Sequence, residues 1–273
     1  MTADGTADRT ADSTAEEPDE RAYEGTPEGR RVVDLLWGEQ RAATRGPRPK
    51  ITLEEILAAA MDLADADGWE ALSMRGLARR LGVGAMSLYT YVPGRSELFE
   101  LMIDRAYGQR NRPEASLPWR QRYERHAREA LAMYRRHPWL VHSNLWRLPP
   151  GPHVLDISED LLDVGRAAGL PLGVGARVSE LLESYVFGIA RGEIADQAQA
   201  ARTGESADEY WAARGSVWTT YFDPARYPRL FATWEAGFYD DDVLTQRLDV
   251  DFSLALVLDS VERLVAKAGG PTG

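Results

Sequence analysis

The chain of 273 residues contains no cysteine. Disulfides, zinc–thiolate centres and thiol nucleophiles are therefore excluded, and the chain suits a reducing compartment, expected to be the cytoplasm. No apolar run approaches the ~18 residues of a membrane span, so no membrane partner is expected. A basic-then-apolar N-terminal pattern is also missing, and no secretory signal is expected. Histidine is scarce: His126, His137, His142 and His153 are the four. None is spaced with a carboxylate or a second histidine as a His-Glu-x-x-His helix requires. A nucleophile elbow, a phosphate loop and a dinucleotide fingerprint are all missing. The glycine cluster Gly169–Gly175 has no strand before it and reads as a helix connection. Asp240, Asp241 and Asp242 read as a solvated turn. These absences argue against an enzyme, a cofactor and a metal.

What is present is a globular composition, 44% hydrophobic and 27% charged, long enough for two domains. The net charge of −11 is unevenly spread. Residues 1–30 hold nine acidic and three basic residues, whereas residues 45–112 hold ten basic and nine acidic ones. The one segment with a basic balance is therefore residues 45–112. An acidic remainder repels a nucleic-acid duplex and keeps nonspecific binding weak.

That segment contains the stretch on which the chain is organised, Ser73 to Leu98. Leu77, Ala78 and Leu81 share one helical stripe. Gly82 follows at once and can adopt the left-handed conformation that ends a helix. A second short helix is predicted from Ala85 to Tyr91, with Leu88 inward. Val92-Pro93-Gly94 stops it, because the residue before a proline is pushed out of the helical region. Helix, glycine turn, helix is a helix-turn-helix, whose second helix fits the DNA major groove.

The run Leu81-Gly82-Val83, Ser87-Leu88-Tyr89, Tyr91-Val92-Pro93-Gly94-Arg95 and Leu98 resembles the DNA-binding domain of the TetR family of transcriptional regulators. The resemblance extends over residues 45–268, strongest in 51–107. It implies an all-α fold: a three-helix helix-turn-helix domain followed by a larger helical domain for ligand binding and dimerisation, of the tetracycline-repressor type. It also implies a homodimer that binds a palindromic DNA operator and is released by a small lipophilic inducer.

The flanking residues support that reading locally. Thr52 and Glu55 form a capping box with Ile51 and Ile56 as its hydrophobic staple. Leu53, Ile56, Leu57, Ala60 and Leu63 make a buried stripe ended by Gly68. Ser73 is an N-cap. A fourth helix follows Gly94, with Leu98, Phe99, Met102, Ile103 and Ala106 inward. Three expected units follow: 1–44, an acidic and mostly disordered leader; 45–112, the DNA-binding domain with its basic arm; and 113–273, the helical regulatory domain. Within the leader, Val32 to Trp37 is an apolar island able to form one or two helical turns that dock on the body.

The body reads as helices Trp119 to Arg136, Trp139 to Arg147, Val154 to Ala168 and Val174 to about Ala201. Ser206 and Glu209 form a second capping box, opening an aromatic helix through Phe222. Pro224 to Ala236 gives another helix, and Val243 to Lys267 the last. This final helix is apolar on nearly all sides and must be covered on all sides. Pairing of it and of the Val174 helix with their counterparts in a second copy is the expected solution.

The resemblance carries roles onto particular residues. Ala85, Met86 and Ser87 open the recognition helix toward base edges, with Tyr91 on the same face and Arg75 against guanine. Tyr89, Thr90 and Arg95 are phosphate contacts. Arg45, Arg48 and Lys50 lie on a proline-held arm suited to the minor groove. Arg79 and Arg80 read equally as a solvated face or as phosphate contacts. An aromatic-lined inducer pocket is expected from Tyr134, Trp139, His142, Trp146, Tyr185, Trp218 and Tyr221. His142 falls where tetracycline-binding members carry a magnesium-coordinating histidine, but the other ligands of that site do not line up. A ligand-independent architectural DNA-binding protein is the alternative from a different class, and an enzyme with an appended DNA-binding domain the third.

Overall fold

The computed structural model describes residues 26–38, 51–239 and 249–269. Among them every regular element is helical. Eleven α-helices are described: α1 (Pro27–Gly38), α2 (Leu53–Asp67), α3 (Met74–Arg80), α4 (Ala85–Tyr91), α5 (Arg95–Tyr107), α6 (Trp119–Arg136), α7 (Pro152–Ala167), α8 (Leu172–Thr203), α9 (Ala207–Ala213), α10 (Pro228–Glu235) and α11 (Val250–Lys267).

The head forms where its caps predict. Thr52 and Glu55 complete both arms of the capping box on α2. Ser73 accepts from the Gly76 amide to open α3. Gly82 lies at φ 67°. The Val83 amide then reaches back to the Ala78 carbonyl at 3.0 Å, the long closure of a Schellman ending. Ile56, Leu57, Ala60, Leu77, Leu88 and Leu98 are buried together and hold α2 to α5 as one core.

The body is built on α6, α7 and α8, with α7 against α8 the most extensive helix pairing. Its close approach rests on Gly165 and Gly175. A Cβ on Gly165 would stand 2.9 Å from the Gly175 Cα. The 32 residues of α8 span roughly 48 Å at 1.5 Å per residue. α11 lays Leu254, Leu258, Val261 and Val265 on the body. Arg120 reaches Asp259 and Glu262 from α6, and Arg128 reaches Asp251 at 2.8 Å, clamping α11 along its length.

Several expectations are corrected. The helix expected around Val32 to Trp37 is longer than one or two turns, because α1 runs three turns from Pro27, opened by Thr26, whose hydroxyl accepts from the Gly29 amide. A capping threonine followed by proline is a helix start that outweighs the acidic composition around it. Its Val32, Leu35 and Leu36 lie at helical spacing against the core, and the Trp37 indole donates to the Pro150 carbonyl at 3.0 Å. Trp139 to Arg147 is not one helix but two 3-10 turns, Pro138–His142 and Leu145–Arg147. The aromatic helix after Ser206 ends at Ala213, and a separate π-turn spans Val217–Tyr221. α10 starts at Pro228, where the fixed proline φ suits a first helical position, rather than at Pro224. In one chain α11 buries one stripe and leaves Phe252, Leu256 and Leu264 exposed, the uncovered apolar area expected of this helix on a single copy. The expected helix start at Val243 lies outside the described residues, as do Asp240, Asp241, Asp242 and residues 1–25.

Candidate nucleic-acid interface and effector site

α4 is two turns long and its one fully buried residue is Leu88. The opposite side faces outward: Met86 is 79% exposed, and Ser87, Tyr89 and Thr90 are exposed beside it. Ala85 and Tyr91 are half-buried at either end. The Thr90 hydroxyl donates to the Ser87 carbonyl at 2.6 Å, which fixes its rotamer on that face. Arg75, Arg79 and Arg80 are exposed on the preceding helix, with Arg80 in a long 3.5 Å contact to Asp62. The arm residues Arg45, Arg48 and Lys50 fall outside the described residues.

Arg95 has an internal role as well. Its guanidinium donates to the Trp69 carbonyl, lies 4.1 Å above the Trp69 ring and approaches Glu70 at 3.7 Å. Trp69 packs on Phe99 at 4.3 Å, and Phe99 meets the edge of Trp139 at 5.9 Å. The Trp139 indole donates to Asp65 at 2.7 Å, and the same carboxylate meets the His137 ring at 2.9 Å. A line of rings therefore runs from the start of α5 into the body, and Trp139 sits at the junction between head and body. Sequence reading placed Trp139 in a pocket and missed Asp65, because nothing local in a helix C-terminal turn announces a partner 74 residues away.

A second carboxylate ties α5 to the body. α7 is preceded by Gly151, which has no side chain to cap it. Buried Asp104 of α5 supplies the cap instead, accepting from the His153 and Val154 amides at 3.0 Å each. A carboxylate at a helix N-terminus gains from both the free amides and the helix dipole. The contact depends on glycine: a Cβ on Gly151 would stand 2.2 Å from the Asp104 Oδ1.

Beyond α5, Arg110 is buried and donates to Glu183 of α8 at 2.9 and 3.3 Å and to the His126 carbonyl at 3.1 Å. Burial drives the Tyr107 and Tyr134 phenols upward, so both stay protonated. Burial, with Arg110 and Arg122 nearby, lowers His126 to about 4, so its ring is neutral.

The seven expected pocket residues do not converge in one chain. Tyr134 and Trp139 are buried, and Tyr185 is half-buried, bonded to Ser253 of α11 at 2.6 Å. His142 and Trp146 are exposed on the 3-10 turns, and Trp218 and Tyr221 are exposed on the π-turn. From 206 to 239 no residue is buried, although Tyr210, Trp211, Trp218, Tyr221, Trp234 and Phe238 lie there. No group of three or more histidine or acidic residues that could hold a metal ion occurs among the described residues. No helix among them is long and apolar enough to cross a membrane.

Comparison with known proteins places this architecture. Residues 56–102 match the family described as bacterial regulatory proteins, tetR family, and residues 112–265 match the tetracyclin repressor-like C-terminal domain. The HTH-type transcriptional repressor DrrR1 of Streptomyces coeruleorubidus is 40% identical over 252 residues, covering 90% of each chain. An HTH-type transcriptional regulator of Saccharopolyspora erythraea is 32% identical over 219 residues, 78% of this chain and 89% of that one. Among solved structures, the Streptomyces coelicolor TetR family protein ActR in complex with actinorhodin superposes with a TM-score of 0.64 at 26% identity, covering 82% of this chain and all of that one. A helix-turn-helix head joined through α5 to a helical body, matched in both halves, identifies the chain as a member of the TetR family of bacterial transcriptional regulators, and not as an enzyme.

Proposed function

We propose that the protein is an effector-responsive transcriptional repressor, acting in the cytoplasm as a homodimer on a twofold-symmetric DNA operator. The observation that carries the reading is the outward face of α4, where Met86, Ser87 and Thr90 project from a helix anchored by Leu88. Ser87 and Arg75 offer hydrogen bonds to base edges, Ala85 and Met86 apolar contact to a thymine methyl, and Tyr91 a further reading group. Tyr89, Thr90 and Arg95, with Arg45, Arg48 and Lys50 of the arm, hold phosphates.

Dimerisation is supported by what one chain leaves uncovered. Phe252, Leu256 and Leu264 of α11, Leu172 and Leu181 of α8, and the large apolar residues of the 206–239 segment are each exposed in one chain. Apolar area on this scale marks an interaction surface, and a second copy related by a twofold axis covers like with like. Trp218 and Tyr221 then serve the effector site by closing over the partner, while Tyr134 and Tyr185 serve it from within. His142 and Trp146 stand on the turns beside α6 and complete the set.

The repressor name of the DrrR1 relative and the ligand complex of ActR support the two halves of this reading. Effector binding acts through α5, the element that both carries the head and is tied to the body by Asp104 and Arg110. The effector must bind the released state more tightly than the DNA-bound one, since equal affinity shifts nothing. Selection of duplexes from a random library, followed by hydroxyl-radical footprinting, tests the reading. A palindromic site with two protected half-sites about one helical turn apart is expected. Enrichment of no symmetric site would overturn it.

A further inference from the structure

The chain holds six methionines and no cysteine, so thioethers are its only oxidisable sulfur. Met61, Met74, Met102 and Met133 are buried in the core, none more than 6% exposed. Met1 lies outside the described residues. Met86 stands apart at 79% exposed. Among the described residues, therefore, a single thioether is open to solvent, and it sits on the outward face of α4.

The local chain makes that thioether easy to reach. Met86 is the second residue of α4, and Ser87, Tyr89 and Thr90 beside it are exposed as well. Leu88 is the one buried residue of the helix, so the Met86 side chain contributes little to its packing. The turn leading to α4 is bare: Gly82 and Gly84 are exposed and carry no side chain, and a Cβ on Gly82 would meet nothing within 4 Å. A small oxidant approaches from that side unobstructed. With no thiol in the chain, no sulfenic acid or disulfide forms first and intercepts it.

We propose that Met86 is a reversible oxidation site through which oxidants of the peroxide class take the protein off DNA. The inference rests on the proposed function, because it assigns a regulation to the same duplex-reading face. The step is an oxygen transfer. The thioether lone pair attacks one peroxide oxygen, and an S–O bond forms as the O–O bond breaks. The departing hydroxide takes the proton of the transferred hydroxyl and leaves as water. Sulfur loses two electrons, the peroxide gains them, and the product is the sulfoxide.

The product is wrong for the place it occupies. The thioether offers apolar contact suited to a thymine methyl. The sulfoxide replaces that contact with a polar oxygen, which beside phosphate oxygens, acceptors themselves, has no donor to meet. The core stays as it was, since its four methionines are shielded while the fold holds. Bound duplex covers α4, so oxidation captures the free protein and the operator empties as molecules dissociate. Reduction of the two sulfoxide epimers restores the original side chain.

The test treats the full chain with hydrogen peroxide and follows three readouts over time. Peptide mass mapping measures oxygen gained at each methionine, anisotropy measures affinity for the selected duplex, and thermal unfolding checks the fold. Met86→Leu, which carries no sulfur there, is compared only with its own untreated form. In wild type, duplex affinity is expected to fall about tenfold or more in step with Met86 oxidation, at an unchanged melting temperature. The pair of methionine sulfoxide reductases, one for each epimer, should return it, and Met86→Leu should keep whatever affinity it had. Prior addition of duplex should slow oxidation at Met86. Full Met86 oxidation at unchanged affinity would overturn the inference. So would a loss that runs on a different time course, survives the reductases or appears equally in Met86→Leu. The time course and the repair are read on wild type, so they decide the question even if Met86→Leu binds no duplex untreated. Untreated wild type that binds no duplex overturns the proposed function beneath it instead.

Discussion

Gly151→Ala is a one-carbon change that should act through a residue 47 positions away. The backbone at Gly151 sits at φ −85° and ψ 163°, a conformation open to any residue. Judged by backbone alone, alanine there stabilises by about 0.4–1 kcal/mol, because it restricts the unfolded chain. The structure predicts the opposite sign. The new Cβ would lie 2.2 Å from the Asp104 Oδ1 and 2.3 Å from its Cγ, so the carboxylate must leave. Its departure frees the His153 and Val154 amides at the start of α7. Two charge-assisted bonds at a helix N-terminus, one of them buried, put the loss at about 2–4 kcal/mol. Urea unfolding of Gly151→Ala, Asp104→Ala and the double variant, at one protein concentration, measures this. Asp104→Ala should cost a similar amount. In the Asp104→Ala background the Gly151 change should become neutral or stabilising, giving a coupling of about 2 kcal/mol or more. Additive losses, or an unharmed Gly151→Ala single variant, would refute the account of how α5 is tied to α7.

Three other outcomes follow from the same geometry. His126 is buried and neutral, with Arg110, Arg122, Arg112 and Asp160 around it, and its pKa is lowered to about 4 against an ordinary 6.5. The unfolded chain therefore binds the extra proton between those values, so stability rises with pH across that window. Acidification from about pH 7 to about pH 5 should cost roughly 2 kcal/mol that a His126→Leu variant does not lose, and parallel pH profiles for the two would refute it. Met86→Glu places a negative charge on the exposed face of α4; it should abolish duplex binding in a gel-shift assay while moving stability by less than about 0.5 kcal/mol. Leu256→Glu, on the uncovered side of α11, should convert a dimer to a monomer by analytical ultracentrifugation, and an unchanged mass would remove that face from the interface.

Local rules made the head legible and left the body half read. Thr52 with Glu55, Ser73, Gly82 and Pro93 each mark an element end by chemistry confined to three or four neighbours, and each acts in the fold as its type predicts. The helices α6, α7 and α8 were visible from their periodicity, which announces a buried face but never its partner. Trp139 shows the limit. Its size and setting suggested a pocket, while its actual partners, Asp65 and Phe99, come from two head helices. The cap of α7 was equally hidden, since Gly151 carries no capping group and the carboxylate that replaces it comes from α5. α1 is half legible: Val32 to Trp37 shows its apolar face as one or two helical turns, while its Thr26-Pro27 start lies within an acidic stretch whose composition masks it. The aromatic 206–239 segment misled for another reason. Its composition is that of a core, yet among the described residues none of it is buried, and its rings meet chiefly one another.

The glycine crossing of α7 and α8 sets where the molecule can yield. Gly165 and Gly175 bring the two backbones into contact, with the Tyr123 hydroxyl beside the crossing, so a side chain added at Gly165 would force the helices apart. On the other side of α7, α5 is held by few and polar contacts, Asp104 to the start of α7 and Arg110 to Glu183 of α8, so under the proposed function that seam is where the head and body come apart.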